Sequence, residues 1–257
     1  MPDDPNLGLP GADSSAEVTS LSGGHTLLQL ATSLYGRAPA FWGRYFKGPG
    51  NQGGAHYHPG HESSVLAAQN VRVLPIARQT SNVSGSSATG GLDAQNNVQA
   101  TFSSFTWEYL AQQGGEYLVY LDVEGAPNPS LSVEYWTGWS HTLRDYSREV
   151  SSNNVTLLPG IYCNFDHHTW QSLDYAVHHG APCASAWVAH WLQNPPSCVT
   201  LRPWHPPFVT PNPAPPCPIH AWQYAAECHG GDGFDMNMSA PGLPDADFLR
   251  KLILPPA

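Results

Sequence analysis

The chain has 257 residues and a mass of 27.8 kDa, with 20 Asp and Glu against ten Lys and Arg and a formal net charge of -10. So acidic a balance argues against a nucleic-acid partner, which needs clustered cations to meet the phosphate backbone. No apolar run approaches the roughly 20 residues that a bilayer-crossing helix requires, so no membrane span is expected, and the length suits one barrel-sized domain or two small ones, of which a single domain over 1–257 is preferred because no second domain or internal repeat is visible.

Residues 1–10 read as an extended arm with neither the basic segment nor the apolar core of a signal peptide. Gly11-Ala-Asp-Ser-Ser15 follows as a short segment carrying an early carboxylate, Asp13. Leu27, Leu28, Leu30, Ala31 and Leu34 recur at helical spacing, with Gly36 as the stop. The aromatic run Ala40 to Phe46 has a strand's composition. Within it Arg44 alternates with Trp42 and Phe46 and is a candidate to reach into the barrel and pair with a carboxylate, or to form an outward salt bridge.

The Gly-rich loop Lys47 to Gly60 brings His56 and His58 close to His61. A metal site there is the sharp reading and an ordinary surface loop the bland one; the bland one is preferred, and no metal or other cofactor is expected. Glu62 to Asn70 suits a short helix. Val71 to Ala77 reads as a third strand, in which Pro75 implies an edge or irregular position. Ser81 to Gly91 is expected as a loop, and Asp93 as the N-cap of a long helix running towards Gln113.

Tyr117 to Glu124 is an apolar, β-branched and aromatic run ending in two carboxylates. Residues two apart in a strand share a face, so Asp122 and Glu124 should project together from its end. A helix over Leu131 to Val150, a strand over Val155 to Tyr162 and a helix over His167 to His179 follow. Ala184 to Trp191 is a sixth strand with no helical period behind it. Instead, 194–218 is a Pro-dense loop insertion. Ile219 to Tyr224 and Phe234 to Met238 are two further short strands, and Asp245 to Leu254 a terminal helix.

Eight strand candidates, the first five followed by helices and the last three not, predict an α/β fold: a single (β/α)8-like barrel of the TIM type, as a (β/α)5(β)3 variant. The rival is an open doubly wound sheet, against which stands the lack of a Gly-rich phosphate loop after any strand. In such barrels the active site lies at the C-terminal ends of the strands. That places Asp13, Asp122, Glu124 and Asp235 at one mouth, the constellation for glycoside cleavage: one carboxyl protonated to donate, others ionised to stabilise positive charge. Mutual repulsion should raise the pKa of one of them.

Gly11-Ala-Asp13-Ser, Tyr120-Leu-Asp122-Val-Glu124, Gly160-Ile-Tyr162, Trp187-Val-Ala-His-Trp191, Trp222-Gln-Tyr224 and Phe234-Asp235-Met-Asn237 resemble, in order, strand motifs of the family 25 glycosyl hydrolases, lysozymes that cut bacterial peptidoglycan on a (β/α)5(β)3 barrel. Gly43 to Phe46, Glu62 before Val71 to Gln79, and Asp93-Ala94 are similar to a sister group, the glycoside hydrolase-like family of bacterial and fungal proteins usually described as having unknown function.

The resemblance implies Glu124 as proton donor, with Asp122, Asp13 and Asp235 positioning the sugar or stabilising charge. It is consistent with help from the substrate's own N-acetyl group. Arg44, Tyr162, Trp187, His190, Trp191, Gln223, Tyr224 and Asn237 are candidates for contact with substrate, the aromatic ones by stacking on sugar rings. The third strand lacks the aromatic pattern of the lysozymes.

The function expected is hydrolysis of a bacterial cell-wall glycan by a monomer. The alternatives are a glycan-binding protein without turnover and a metal-dependent hydrolase using the histidine loop. Five Cys, all in the second half, allow two disulfides and one free thiol; Cys198 and Cys217 bracket the Pro-rich loop, which a disulfide could staple. Few Lys with many Ser, Asn, Gly and Trp lean towards an extracytoplasmic or secreted protein.

Overall fold

The computed structural model describes residues 6–48, 56–125, 127–191, 198, 202–206, 213–229, 233–242 and 245–257. Eight strands close a barrel: β1 (Pro10–Asp13), β2 (Phe41–Tyr45), β3 (Arg72–Ala77), β4 (Glu116–Val123), β5 (Thr156–Cys163), β6 (Ser185–Ala189), β7 (Ile219–Cys228) and β8 (Phe234–Ser239). Strands β1 to β7 run parallel in sequence order, whereas β8 pairs antiparallel with both β7 and β1. The last strand is therefore reversed, a departure from the all-parallel barrel.

Helices follow each of the first five strands: α1 (Leu27–Tyr35), α2 (Pro59–Ala68), α3 (Ser87–Ser104) with the short α4 (Trp107–Ala111), α5 (Val133–Val150) and α6 (His167–His178). After β8 comes α7 (Asp245–Arg250). The expected (β/α)5(β)3 plan is observed among the described residues. Most of the Pro-rich stretch lies outside them. No helix among the described residues is long and apolar enough to cross a membrane.

Local chemistry explains several boundaries. Thr26 and Gln29 close a capping box at the start of α1, and Gly36 ends that helix in the left-handed region at φ 71°. Ser86 caps α3 by accepting from the Thr89 amide. The expected cap, Asp93, is instead buried inside α3 and accepts hydrogen bonds from the Tyr135 hydroxyl at 2.8 Å and from Asn82 at 3.0 Å. Helix α3 thus begins within the stretch expected as a loop.

Strand alternation divides the barrel wall into two layers. Phe41, Leu74, Ile76, Leu118, Tyr120, Trp187 and Ala221 fill the inside, while Trp42, Val73, Val119, Leu121, Ile161, Val188 and Trp222 pack outward beneath the helices. Pro75 is at an irregular position, not an edge: β3 pairs with β2 from Arg72 to Ile76, but with β4 at Ile76 and Ala77, beyond the proline. Below that point the C-terminal tail bridges, Val73 pairing with Ile253 and the Leu118 amide donating to the Lys251 carbonyl at 2.9 Å.

Candidate active site

Strand phase decides which side chains reach the mouth. Asp13 ends β1 facing inward, opposite Asp235 in the β1–β8 register. Because β8 is reversed, Asp235 arrives at the mouth from the start of its strand, not from a C-terminal end. Asp122 projects inward from β4, above Tyr120, and Glu124 stands exposed just past the strand end, held by a hydrogen bond from Asn128 at 3.1 Å. Gly43 lies beside Asp13 in the β1–β2 register, where a Cβ would lie 2.7 Å from the Asp13 Cβ. A side chain at that position would displace the carboxylate.

A fixed amide network holds two of the acids. Asp13 Oδ1 accepts from Asn237 Nδ2 at 2.6 Å and from Gln223 Nε2 at 3.1 Å. The same Gln223 nitrogen donates to Asp235 Oδ2 at 3.1 Å, and Asp235 Oδ1 accepts from the Glu227 amide at 2.7 Å. The oxygen of Gln223 accepts from the Tyr162 hydroxyl at 3.0 Å and the Trp191 indole at 3.1 Å. These four contacts fix which way the amide points. Trp187 donates to Asn237 Oδ1 at 2.9 Å, which fixes the second amide likewise.

Burial raises the pKa of three carboxyls. Asp13 is pushed up to about 7 by desolvation, against which the Asn237 and Gln223 bonds work, with Asp122 and Glu124 adding repulsion. Asp122 also reaches about 7, again chiefly by desolvation and then by the charge of Glu124. Asp235 is raised by burial and by Asp13. The expected rise is present, but burial leads and mutual repulsion follows. The field of Glu124 reaches all three aspartates, so the four acids form one electrostatic unit. Asp122 Oδ1 is buried without a hydrogen-bond partner among the described residues.

Two expected contact residues lie elsewhere. Arg44 is fully buried on the outer face of β2, in phase with Trp42. It pairs bidentately with Glu62, at 2.8 and 3.0 Å, and donates to the carbonyls of Ser14, Ser15 and His56. Glu62 in turn accepts from the Val18 and His58 amides. This ion pair pins the loops after β1 and β2 and does not face the mouth. Tyr224 likewise packs in the outer layer with Trp222, 5.4 Å between rings.

Two residues at the mouth escaped the sequence reading. Tyr45 shares the inward face of β2 with Gly43, and its hydroxyl pKa is raised by burial and by the charges of Asp122, Asp13 and Asp235. The Arg78 guanidinium lies 5.1 Å from the Tyr45 ring centroid and its charge favours ionised Asp122. The signal for both was the strand period, since Tyr45 follows Gly43 by two and Arg78 follows Ile76 by two. In the histidine loop, His58 and His61 approach Glu17 at 3.7 and 3.1 Å. Among the described residues no three His, Cys, Asp or Glu side chains are placed to share a metal ion.

No protein-family model matches the chain, and no curated protein matches it. Among solved structures, an uncharacterized B. stearothermophilus protein superposes with TM-score 0.67 at 22% identity, over 95% of this chain and 100% of that one. The Clostridium perfringens spore cortex lytic enzyme SleM gives TM-score 0.54 at 16% identity, over 94% of this chain and 70% of that one. A family GH25 lysozyme from Aspergillus fumigatus gives TM-score 0.45 at 13% identity, over 95% and 97%. At these identities the first two likenesses show a shared barrel fold.

Proposed function

We propose that the protein hydrolyses a glycosidic bond in a bacterial cell-wall glycan, with Glu124 donating the proton to the leaving oxygen. The observation that carries this reading is the meeting of Asp13, Asp122, Glu124 and Asp235 in one field at the barrel mouth. The cell-wall target is supported by the fold shared with a spore cortex lytic enzyme.

Glycoside cleavage needs a donor at the leaving oxygen and negative charge beneath the oxocarbenium-like carbon. Exposed Glu124 is placed to meet an incoming glycan. Asp13 and Asp235, locked by Gln223, hold acceptor oxygens at a fixed position, and positive charge developing on the sugar favours their ionised forms with little reorganisation. Buried Asp122, with one oxygen facing no hydrogen-bond partner among the described residues, is suited to bind a polar substituent of the sugar such as an acetamido group. A disulfide between Cys198 and Cys228 supports an extracytoplasmic setting.

Release of reducing ends from purified peptidoglycan tests the reading. The parent should release them, and Glu124→Gln should lower the rate by about 100-fold or more, the scale of general acid catalysis. Equal release by both would remove Glu124 as the acid. Binding without release by the parent would favour a glycan-binding protein.

A further inference from the structure

Beside the carboxylates, the segments after β5 and β6 enclose a hollow of about 420 Å³ lined by Asn164, Phe165, Asp166, Ala189, His190 and Trp191. That volume lies in the range of small-molecule sites. Its walls are held. The His190 amide donates to the Gln223 carbonyl at 2.9 Å, and the Trp222 indole donates to the His190 carbonyl at 2.8 Å. The rings of Phe165 and His190 meet edge to face at 4.2 Å. Asp166 caps α6 by accepting from the Thr169 amide at 2.9 Å.

Trp191 is 49% exposed, although its indole N–H is tied to Gln223. An indole anchored at its polar edge and half exposed suits stacking against the C–H face of a sugar. Because Gln223 also holds Asp13 and Asp235, a ring stacked there is registered against the carboxylates through one amide. The charged lining residue, Asp166, stays ionised: burial works against its charge, and hydrogen bonds from Thr169 and Ser130 overcome it. An anionic sugar would be repelled.

We infer that this hollow is a subsite for one neutral pyranose ring of the glycan, stacked on Trp191 and hydrogen-bonded at its rim by Asn164, Asp166 and His190. The inference rests on the proposed glycosidase cleft but concerns binding, so the two can fail separately. Chitotriose, a neutral acetamido-sugar trimer, and trigalacturonate, its acidic counterpart, are titrated into Glu124→Gln protein by calorimetry.

Chitotriose should bind and trigalacturonate should not. Trp191→Ala in the same background should weaken chitotriose binding about tenfold, while Trp191→Phe should stay within about threefold, as it keeps an aromatic face. If Trp191→Ala does not fold, protection of Trp191 by chitotriose against N-bromosuccinimide oxidation, read by peptide mass, replaces it. Unchanged affinity or no protection overturns the subsite, as does equal binding of the acidic trimer. Binding as expected with no release of reducing ends by the parent leaves the subsite and removes the hydrolase.

Independently of any ligand, the sulfurs of Cys183 and Cys217 lie 2.6 Å apart, within about 0.6 Å of a bond length. These residues precede β6 and β7, at the two ends of the segment carrying the Pro-rich loop. We propose that they form a second disulfide beside Cys198–Cys228. The two thiols lose two protons and two electrons to a disulfide-bearing oxidant such as oxidised glutathione, which is released as two reduced thiols.

After incubation with oxidised glutathione, thiol titration of the unfolded protein should find one thiol, Cys163, and non-reducing peptide mapping should recover the 183–217 linkage. Three titrating thiols overturn the proposal. Cys183→Ser should leave two, Cys163 and Cys217.

Discussion

At the scale of the single residue, the buried aspartates tie the site to the stability of the fold. Asp13 and Asp122 hold their protons to about pH 7, against 3.8 for the free side chain. A folded-state pKa raised in this way contributes stability that is complete below the free value and is lost as pH rises towards 7. Parent stability should therefore fall between about pH 4 and pH 7 on account of these groups. Asp122→Asn keeps the shape and removes the titration. Its melting temperature relative to the parent should rise across that window, by about 2–4 °C for each kcal/mol regained. Differential scanning fluorimetry at fixed ionic strength measures it, and a difference constant with pH would show that burial of Asp122 is not the cause. The same phase of alternation that aims these acids was legible at β4, where an apolar run ends in Asp122 and Glu124. It was misassigned at β2, because Arg44 is flanked by Trp42 and Phe46 and an aromatic run carries no sign of which face is inner. Arg44 looks outward, and its neighbour Tyr45 takes the inner position.

At the scale of the element, the existence of strands and helices was readable, and errors gathered where tertiary packing overrides local preference. Ser87 to Gly91 has the composition of a loop, yet forms the first turn of α3 because it lies against α5. A Cβ added at Gly138 would strike the Ser87 carbonyl, and one at Gly90 would strike the Tyr135 carbonyl. The small residues that weaken the helix in isolation are those that let two helix backbones approach. Gly138→Ala, favourable by helix propensity, should therefore lose about 1–3 kcal/mol through overpacking. Urea denaturation with an unchanged m-value is the check; a gain in stability would mean that the contact can relax. The disulfide partner of Cys198 is likewise not settled by local spacing. Sequence proximity to the Pro-rich loop favoured Cys217, whereas the bond is to Cys228, near the end of β7. A crossover that joins a loop to a distant strand end leaves no trace in local spacing.

At the scale of the whole molecule, the barrel is closed at the end opposite the acids by the chain's own C-terminal segment. Phe248 is 2% exposed and sits edge-on to Phe41 at 5.4 Å, with Leu252 buried beside it. The Val73 and Leu118 amides donate to the carbonyls of Ile253 and Lys251, and Gln113 exchanges two hydrogen bonds with Leu254. The tail thus supplies carbonyl partners where Pro75 precedes the start of the β3–β4 ladder, and an aromatic plug where the barrel interior would meet water. Sequence indicated a terminal helix over this segment and gave no sign of where it docks, since a few apolar residues fit many surfaces. Phe248→Ala should cost about 3–5 kcal/mol, the range for a large aromatic removed from a core. At this chain length that is roughly 10 °C in melting temperature. Because the plug and the mouth occupy opposite ends of the same strands, hydrolysis per folded molecule, measured well below the transition, should be unchanged within about twofold. Loss of both stability and activity would mean that the interior layer transmits the floor's packing to Asp122 through Leu118 and Tyr120; loss of neither would mean that the tail only covers a barrel already sealed by its own side chains.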